Sequence, residues 1–319
     1  MSMLRTGFLL LVMSFLFAVV GYALAGPTGI LIALAFSIAM NLWAYWSSDS
    51  MVLAMHGAIE VSEAQAPEYY RIVRGLASKA NIPVPRVCVL NNPQPNAFAT
   101  GRDPNHAAVC ATTGLLEMLT PEEVTGVLGH ELTHVLNRDT LTMAMAATLA
   151  GAISMLANFS LFFGSRRDSR APVSPLMGML IALAAPLAAM LVQMAISRSR
   201  EYEADAGGAK LTGHPLWLAS ALRKLEMSRG IVNQSAEDHP ASAHMFIVNP
   251  LSGRGTDSLF VTHPSTENRI ARLQEIARQI GEPMSDLNPA GRAGAAMPGS
   301  ADVASPSYGG QGSQHGPWG

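Results

Sequence analysis

His130-Glu131-Leu132-Thr133-His134 is an H-E-x-x-H pentapeptide. On a helix the i, i+4 spacing puts both imidazoles on one face, one turn apart, where each offers a ring nitrogen to a single tetrahedral zinc ion. Glu131 follows the first histidine and is then aimed at the open coordination position, where it can take a proton from water. A catalytic zinc takes three protein ligands, so the pentapeptide is one short. A metzincin would place a third histidine six residues after His134, but that position is Thr140. Glutamate is the other common choice. Glu201 opens Glu201-Tyr202-Glu203-Ala204-Asp205, which sets a ligand and a supporting acid on one helical face. Asp205 would accept the ring N–H of a ligating histidine and hold its tautomer. The same residues also suit a solvated helix face balanced by Arg198 and Arg200.

These residues need elements to carry them. Thr120 as N-cap, Pro121 in the first turn and Glu123 as the acid of a capping box start a helix that runs through the pentapeptide and into the apolar residues beyond Asp139. Upstream, Tyr69, Ile72, Val73, Leu76 and Ala80 share a helical face, and the Asn81-Ile82-Pro83 stretch ends that helix. Short runs at 86–90, 97–100 and 107–112, rich in Val, Thr and Ala, predict a small sheet. Its small-residued middle piece, Asn96-Ala97-Phe98-Ala99, suits an edge strand to which an extended substrate could add through backbone hydrogen bonds.

Only 14% of the 319 residues are charged, against about 25% in soluble domains. Uncharged runs at 7–25, 29–46, 141–163 and 175–196 are each about as long as the ~20 residues that cross a bilayer. The expectation is therefore an α+β, mainly helical, gluzincin-like metalloprotease domain with a small β-sheet, joined to four predicted membrane helices in contact with the lipid bilayer. Its parts are a membrane hairpin (1–46), a first protease portion (47–140), a second hairpin (141–196), a second protease portion with the third ligand (197–287), and a Gly/Pro/Ser/Ala-rich disordered tail (288–319). A cleaved signal followed by one anchor is the alternative for the first hairpin. An antiparallel second hairpin returns the chain to the surface it left, which would bring Glu201 beside His130 and His134.

Arg5 favours a cytoplasmic N-terminus, although Arg166, Arg167 and Arg170 then fall outside, which favours a second hairpin that does not cross fully. A net charge of −2 without a Lys/Arg block argues against nucleic acid as a partner. Cys88 and Cys110 lack a C-x-x-C spacing. His263 lies ahead of a helix starting near Pro264. It is a candidate donor to the oxyanion of a tetrahedral intermediate, or an ordinary helix-start histidine.

The sequence resembles the HtpX-type membrane zinc metalloproteases, relatives of the prenyl-protein (CAAX) endoproteases. The likeness is carried by Gly129-His130-Glu131-Leu132-Thr133-His134-Val135 with Asn137-Arg138-Asp139, and by Ser199-Arg200-Glu201-Tyr202-Glu203-Ala204-Asp205. It is also carried by Pro95-Asn96-Ala97-Phe98-Ala99, by Ala243-His244-Met245-Phe246-Ile247-Val248-Asn249-Pro250-Leu251 and by Thr262-His263-Pro264-Ser265-Thr266. The resemblance implies a multi-pass endopeptidase of the bacterial inner membrane with its active site facing the cytoplasm. It implies one zinc per chain on His130, His134 and Glu201, and Glu131 as base. Its polypeptide substrates would be misfolded or damaged membrane proteins, in quality control. A non-catalytic scaffold or holdase with structural zinc is an alternative, against which Glu131 speaks, because a structural site needs no base beside its metal. A site-2-type intramembrane protease is another, against which the placement of the motif ahead of an apolar run speaks.

Overall fold

Alternating side chains along residues 86–112 give a sheet with two buried faces. In the computed structural model β1 (Ile59–Glu60), β2 (Arg86–Leu90), β3 (Ala97–Asp103) and β4 (His106–Thr112) form one sheet in the order β1-β2-β4-β3. β2 and β4 are parallel; the outer pairs are antiparallel. The structure describes residues 2–146, 198–228, 231, 233–248, 250 and 265–284. His263, residues 147–196 of the second apolar hairpin and the tail from 288 lie outside them. β3 forms one edge, and the two-residue β1, too short to leave an alternation in the sequence, forms the other.

Because strand side chains alternate in direction, the sheet builds two cores. Val87, Val89, Ala97, Ala99, Val109 and Ala111 face a core shared with α2 (Pro67–Ala80), α4 (Pro121–Leu136), α6 (Pro215–Met227) and α8 (Thr266–Ile280). Cys88, Leu90, Phe98, Ala108 and Cys110 face a second core closed by Val52, Leu53, Met143, Ala144, Met245 and Phe246. α2 buries Tyr69, Val73, Leu76 and Ala77 and ends at Asn81 in the left-handed conformation, φ 54°. The short α3 (Thr113–Met118) links β4 to α4.

Helix α1 (Ser2–Met55) is broken at Ala25 and Gly26, where Gly26 has φ 60° and Pro27 follows. A left-handed φ favours glycine, and proline suits the first turn of the second arm. The arms meet again at Ser14 Oγ and Ser37 Oγ, 2.9 Å apart, and at the Phe17 and Phe36 rings, 5.6 Å apart. Among the described residues, Ala25–Ser47 is the stretch long and apolar enough to cross a membrane, with a mean hydropathy of 1.6. Of the four spans the sequence predicts, the described residues thus contain one candidate, and the runs at 141–163 and 175–196 lie almost wholly outside them. The second arm runs past Trp46 to Met55 and buries Val52 and Leu53 in the globular part.

α4 lies at the centre. Thr120 and Glu123 make the reciprocal bonds of a capping box. Glu123 also accepts from Ser220 Oγ and Lys224 Nζ, both at 2.7 Å, which ties the start of α4 to α6. Glycines let neighbouring backbones close in. A Cβ on Gly126 would stand 2.5 Å from the Leu218 nitrogen in α6. One on Gly208, in α5 (Arg198–Thr212), would stand 2.8 Å from the His130 nitrogen. α4 does not continue directly into the apolar residues that follow, as the sequence predicts. It ends at Asn137, Arg138 takes a left-handed φ of 58°, and helix resumes at Asp139.

Candidate metal centre

The buried face of α4 carries His130, Glu131 and His134, and α5 crosses it at the glycine contact. This brings Glu201 opposite both imidazoles. His130 Nε2 is 3.2 Å from His134 Nε2 and 3.8 Å from Glu201 Oε2; His134 Nε2 is 3.5 Å from Glu201 Oε1. All three side chains are buried, and their ligand atoms lie within 4.8 Å of one another.

Each histidine has a carboxylate behind it. His130 Nδ1 lies 2.9 Å from Asp205 Oδ1, and His134 Nδ1 lies 3.4 Å from Asp139 Oδ2. A carboxylate at Nδ1 places the ring proton there and leaves Nε2 as a lone-pair donor. Two such lone pairs at 3.2 Å repel unless a cation or a proton sits between them. Two nitrogens bound at 2.0–2.1 Å to a tetrahedral zinc stand about 3.3 Å apart. The donor set therefore fits a zinc ion, with His130, His134 and Glu201 as the residues able to hold it.

Both supporting acids are backed by arginine. Arg269, from α8, donates through Nε to Asp205 Oδ2 at 2.9 Å and through Nη2 to Asp205 Oδ1 at 2.7 Å. Its Nη1 donates to the Ile247 carbonyl at 3.1 Å and stands 3.8 Å from Glu201 Oε2. Arg200 Nη1 donates to Asp139 Oδ1 at 3.1 Å. Burial alone would raise the Asp205 carboxyl, but the Arg269 charge and the bonds from His130 and Arg269 bring it down to about 2. Burial, with Arg269 adding to it, lowers His130 to about 4 and keeps it neutral. At His134 burial is outweighed by Asp139, Glu201 and Glu131, and its pKa rises.

Glu131 is 2% exposed. Burial lifts its carboxyl to about 8, against the pull of His134, and Glu201 lifts it further. It accepts a hydrogen bond from the Ala99 N–H of β3. A carboxyl balanced near neutrality beside a metal-ligand cluster is suited to taking up and returning a proton.

Asn96 immediately precedes β3, and Ala97, Phe98 and Ala99 lie within it on the sheet edge, with Ala99 touching Glu131. Tyr202 turns to Arg272, 5.1 Å from its ring centre. His244 is buried in the 3-10 turn Pro240–Met245. Sequence reasoning missed Asp139 and Arg269. Asp139 stands in the Asn137-Arg138-Asp139 triplet just after the helix, a signal that was available. Arg269 has only its place on the inner face of α8.

A structural match, the crystal structure of S. mikatae Ste24p, is 18% identical and superposes with a TM-score of 0.48; it covers 81% of this chain and 61% of that one. The chain thus spans less than two thirds of that protein's length. The family model for peptidase family M48 matches residues 63–277, more than half of the chain and every residue named at the centre, and the chain belongs to that family.

Proposed function

We propose that this protein is a membrane-bound, zinc-dependent endopeptidase of gluzincin-like fold. The observation that supports it best is the convergence of His130, His134 and Glu201 from two helices, with the buried Glu131 beside them. A zinc ion there would supply a Lewis acid for a scissile carbonyl and would acidify water towards a pKa of about 7.

The chain's own residues do the rest. Glu131 takes the proton from the attacking water and hands it to the departing amine. Its carboxyl, lifted by burial to about 8, suits a group that must both accept and release. Asp205 and Asp139 hold the two rings with Nε2 forward; Arg269 keeps Asp205 ionised, and Arg200 donates to Asp139. The edge of β3 offers backbone groups to an extended polypeptide and ignores its side chains, as broad specificity requires. His263, outside the described residues, is a candidate oxyanion donor.

The chain divides, in this reading, at 46, 140, 196 and 287 into two membrane hairpins, two protease portions and a tail. The protein is multi-pass in a bacterial inner membrane and its centre faces the cytoplasm. Its substrates are unfolded or damaged membrane proteins. A scaffold with structural zinc would have no use for a carboxylate in Glu131's position.

Glu131→Gln should keep one zinc per chain by elemental analysis and cut cleavage of an unfolded polypeptide by about 10²- to 10⁴-fold. Glu201→Ala should lose the zinc. Full activity in the first variant, or unchanged zinc in the second, would overturn the reading.

A further inference from the structure

We propose that the chain's own residues 246–248 close one end of the substrate-receiving edge of β3. An extended peptide then pairs with β3 from Ala99 onward and must end, or turn away, at Ala97. The inference deepens the peptidase reading above and rests on it.

Pairing of β3 with β4 fixes which backbone groups of β3 face outward. The Asn96 carbonyl accepts from Thr112 N at 2.9 Å, so residues 96, 98 and 100 face β4. Residues 97, 99 and 101 face the open side. Of these, the Ala97 carbonyl accepts the Ile247 N–H at 3.0 Å. The Ala99 N–H is given to Glu131. The Gly101 carbonyl accepts from Thr140 Oγ1 at 2.9 Å, so the Ala99 carbonyl and the Gly101 N–H are the outward groups left to pair with a peptide.

Residues 246–248 are part of the wall. Phe246, Ile247 and Val248 are all buried, and the Phe246 ring lies 5.2 Å from that of Phe98 and 5.0 Å from that of His56. Three amides at alternate positions hold the surrounding chain. Asn96 Nδ2 donates to the Val248 carbonyl at 2.8 Å; Gln94 Nε2 donates to the carbonyls of Ile231 and Pro250 at 2.7 and 3.0 Å; and Asn92 Nδ2 donates to Asn233 Oδ1 at 2.9 Å. The Ile247 carbonyl is held by Arg269, which also holds Asp205. A peptide that displaced this segment would expose three apolar side chains and unpair the arginine behind His130.

The footprint on a substrate is therefore one-sided. The chain suited to it is one that ends or bends shortly after the cut bond on the Ala97 side.

The zinc-loaded full chain in detergent, with an unstructured peptide cut at one mapped bond, tests this. Each backbone nitrogen of the peptide is methylated in turn, which deletes one ladder hydrogen bond at a time. Alternate positions on one side of the cut should lose about tenfold in kcat/KM. On the other side, positions beyond the first residue should change less than twofold. A photoreactive benzophenone at the second residue of the insensitive side should crosslink to residues 246–248. Equal sensitivity on both sides, or crosslinks to Asn96 and Ala97 instead, overturns the inference and leaves the peptidase reading standing. Failure to cut any peptide with zinc present overturns both.

Discussion

The two histidines of the centre are held by the same kind of device, built in two ways. Behind His130 stand Asp205 and Arg269, from α5 and α8, in a two-pronged pair that is 2% exposed or less. Behind His134 stand Asp139, five residues further along the same chain, and Arg200, with a longer Nδ1 to carboxylate separation of 3.4 Å against 2.9 Å. Both arginines come from another element than the acid's histidine, but the acid of the first arm is remote from its histidine and fully dry, whereas that of the second is local to it and the arm is looser and slightly more exposed. A buried pair gives orientation at the cost of desolvation, and breaking it leaves a charge with no water to turn to. The His130 arm thus ties α4, α5 and α8 together as well as orienting a ring, whereas the His134 arm ties only α5 to the end of α4.

The comparison breaks most visibly at the arginines. Arg269→Met leaves Asp205 buried and unpaired and should cost about 3–5 kcal/mol in urea unfolding. Arg200→Met should cost less than half of that, and equal losses would remove the distinction. At the acids, Asp205→Asn should weaken zinc binding about 10- to 100-fold by competition with a chelator dye. Asp139→Asn should lie at or below the low end of that range, and a reversed order would mean that the His134 arm is the tighter support.

Acid sharpens the contrast further. Asp205 is held at about 2, below its ordinary 3.8, so the folded protein binds its proton less readily than the unfolded chain does. Its contribution, about 2 kcal/mol, is complete above about pH 4 and is lost as the pH falls towards 2. Chelator-treated wild type should lose that much more stability across this window than chelator-treated Asp205→Asn. Parallel curves would assign the acid sensitivity elsewhere.

The same division decides what the sequence could disclose. The start of α4 was readable because Thr120, Pro121 and Glu123 act within one turn, and the ends of β2 were readable from a run of branched residues between turns. Family membership agrees with the resemblance carried by the motifs. Asp139 escaped because its approach to His134 depends on Arg138 taking a left-handed φ, and arginine gives no hint of that conformation. Arg269 escaped because 139 residues separate it from His130, and no periodicity links an α8 side chain to an α4 ring. The edge of β3 was placed at the rim of the sheet. Its covering by residues 246–248 was not foreseen, since Asn92, Gln94 and Asn96 look like turn residues until their amides are seen to grip another segment.

The backbone contacts of α4 through Gly126 and Gly208 have a mechanical consequence. A helix touched by two neighbours at main-chain distance can neither roll nor slide without collision, because no side chain lies between to deform. His130, Glu131 and His134 therefore keep their bearings regardless of what enters the cleft, and adjustment to differently shaped guests is left to the facing strand and the loops around it.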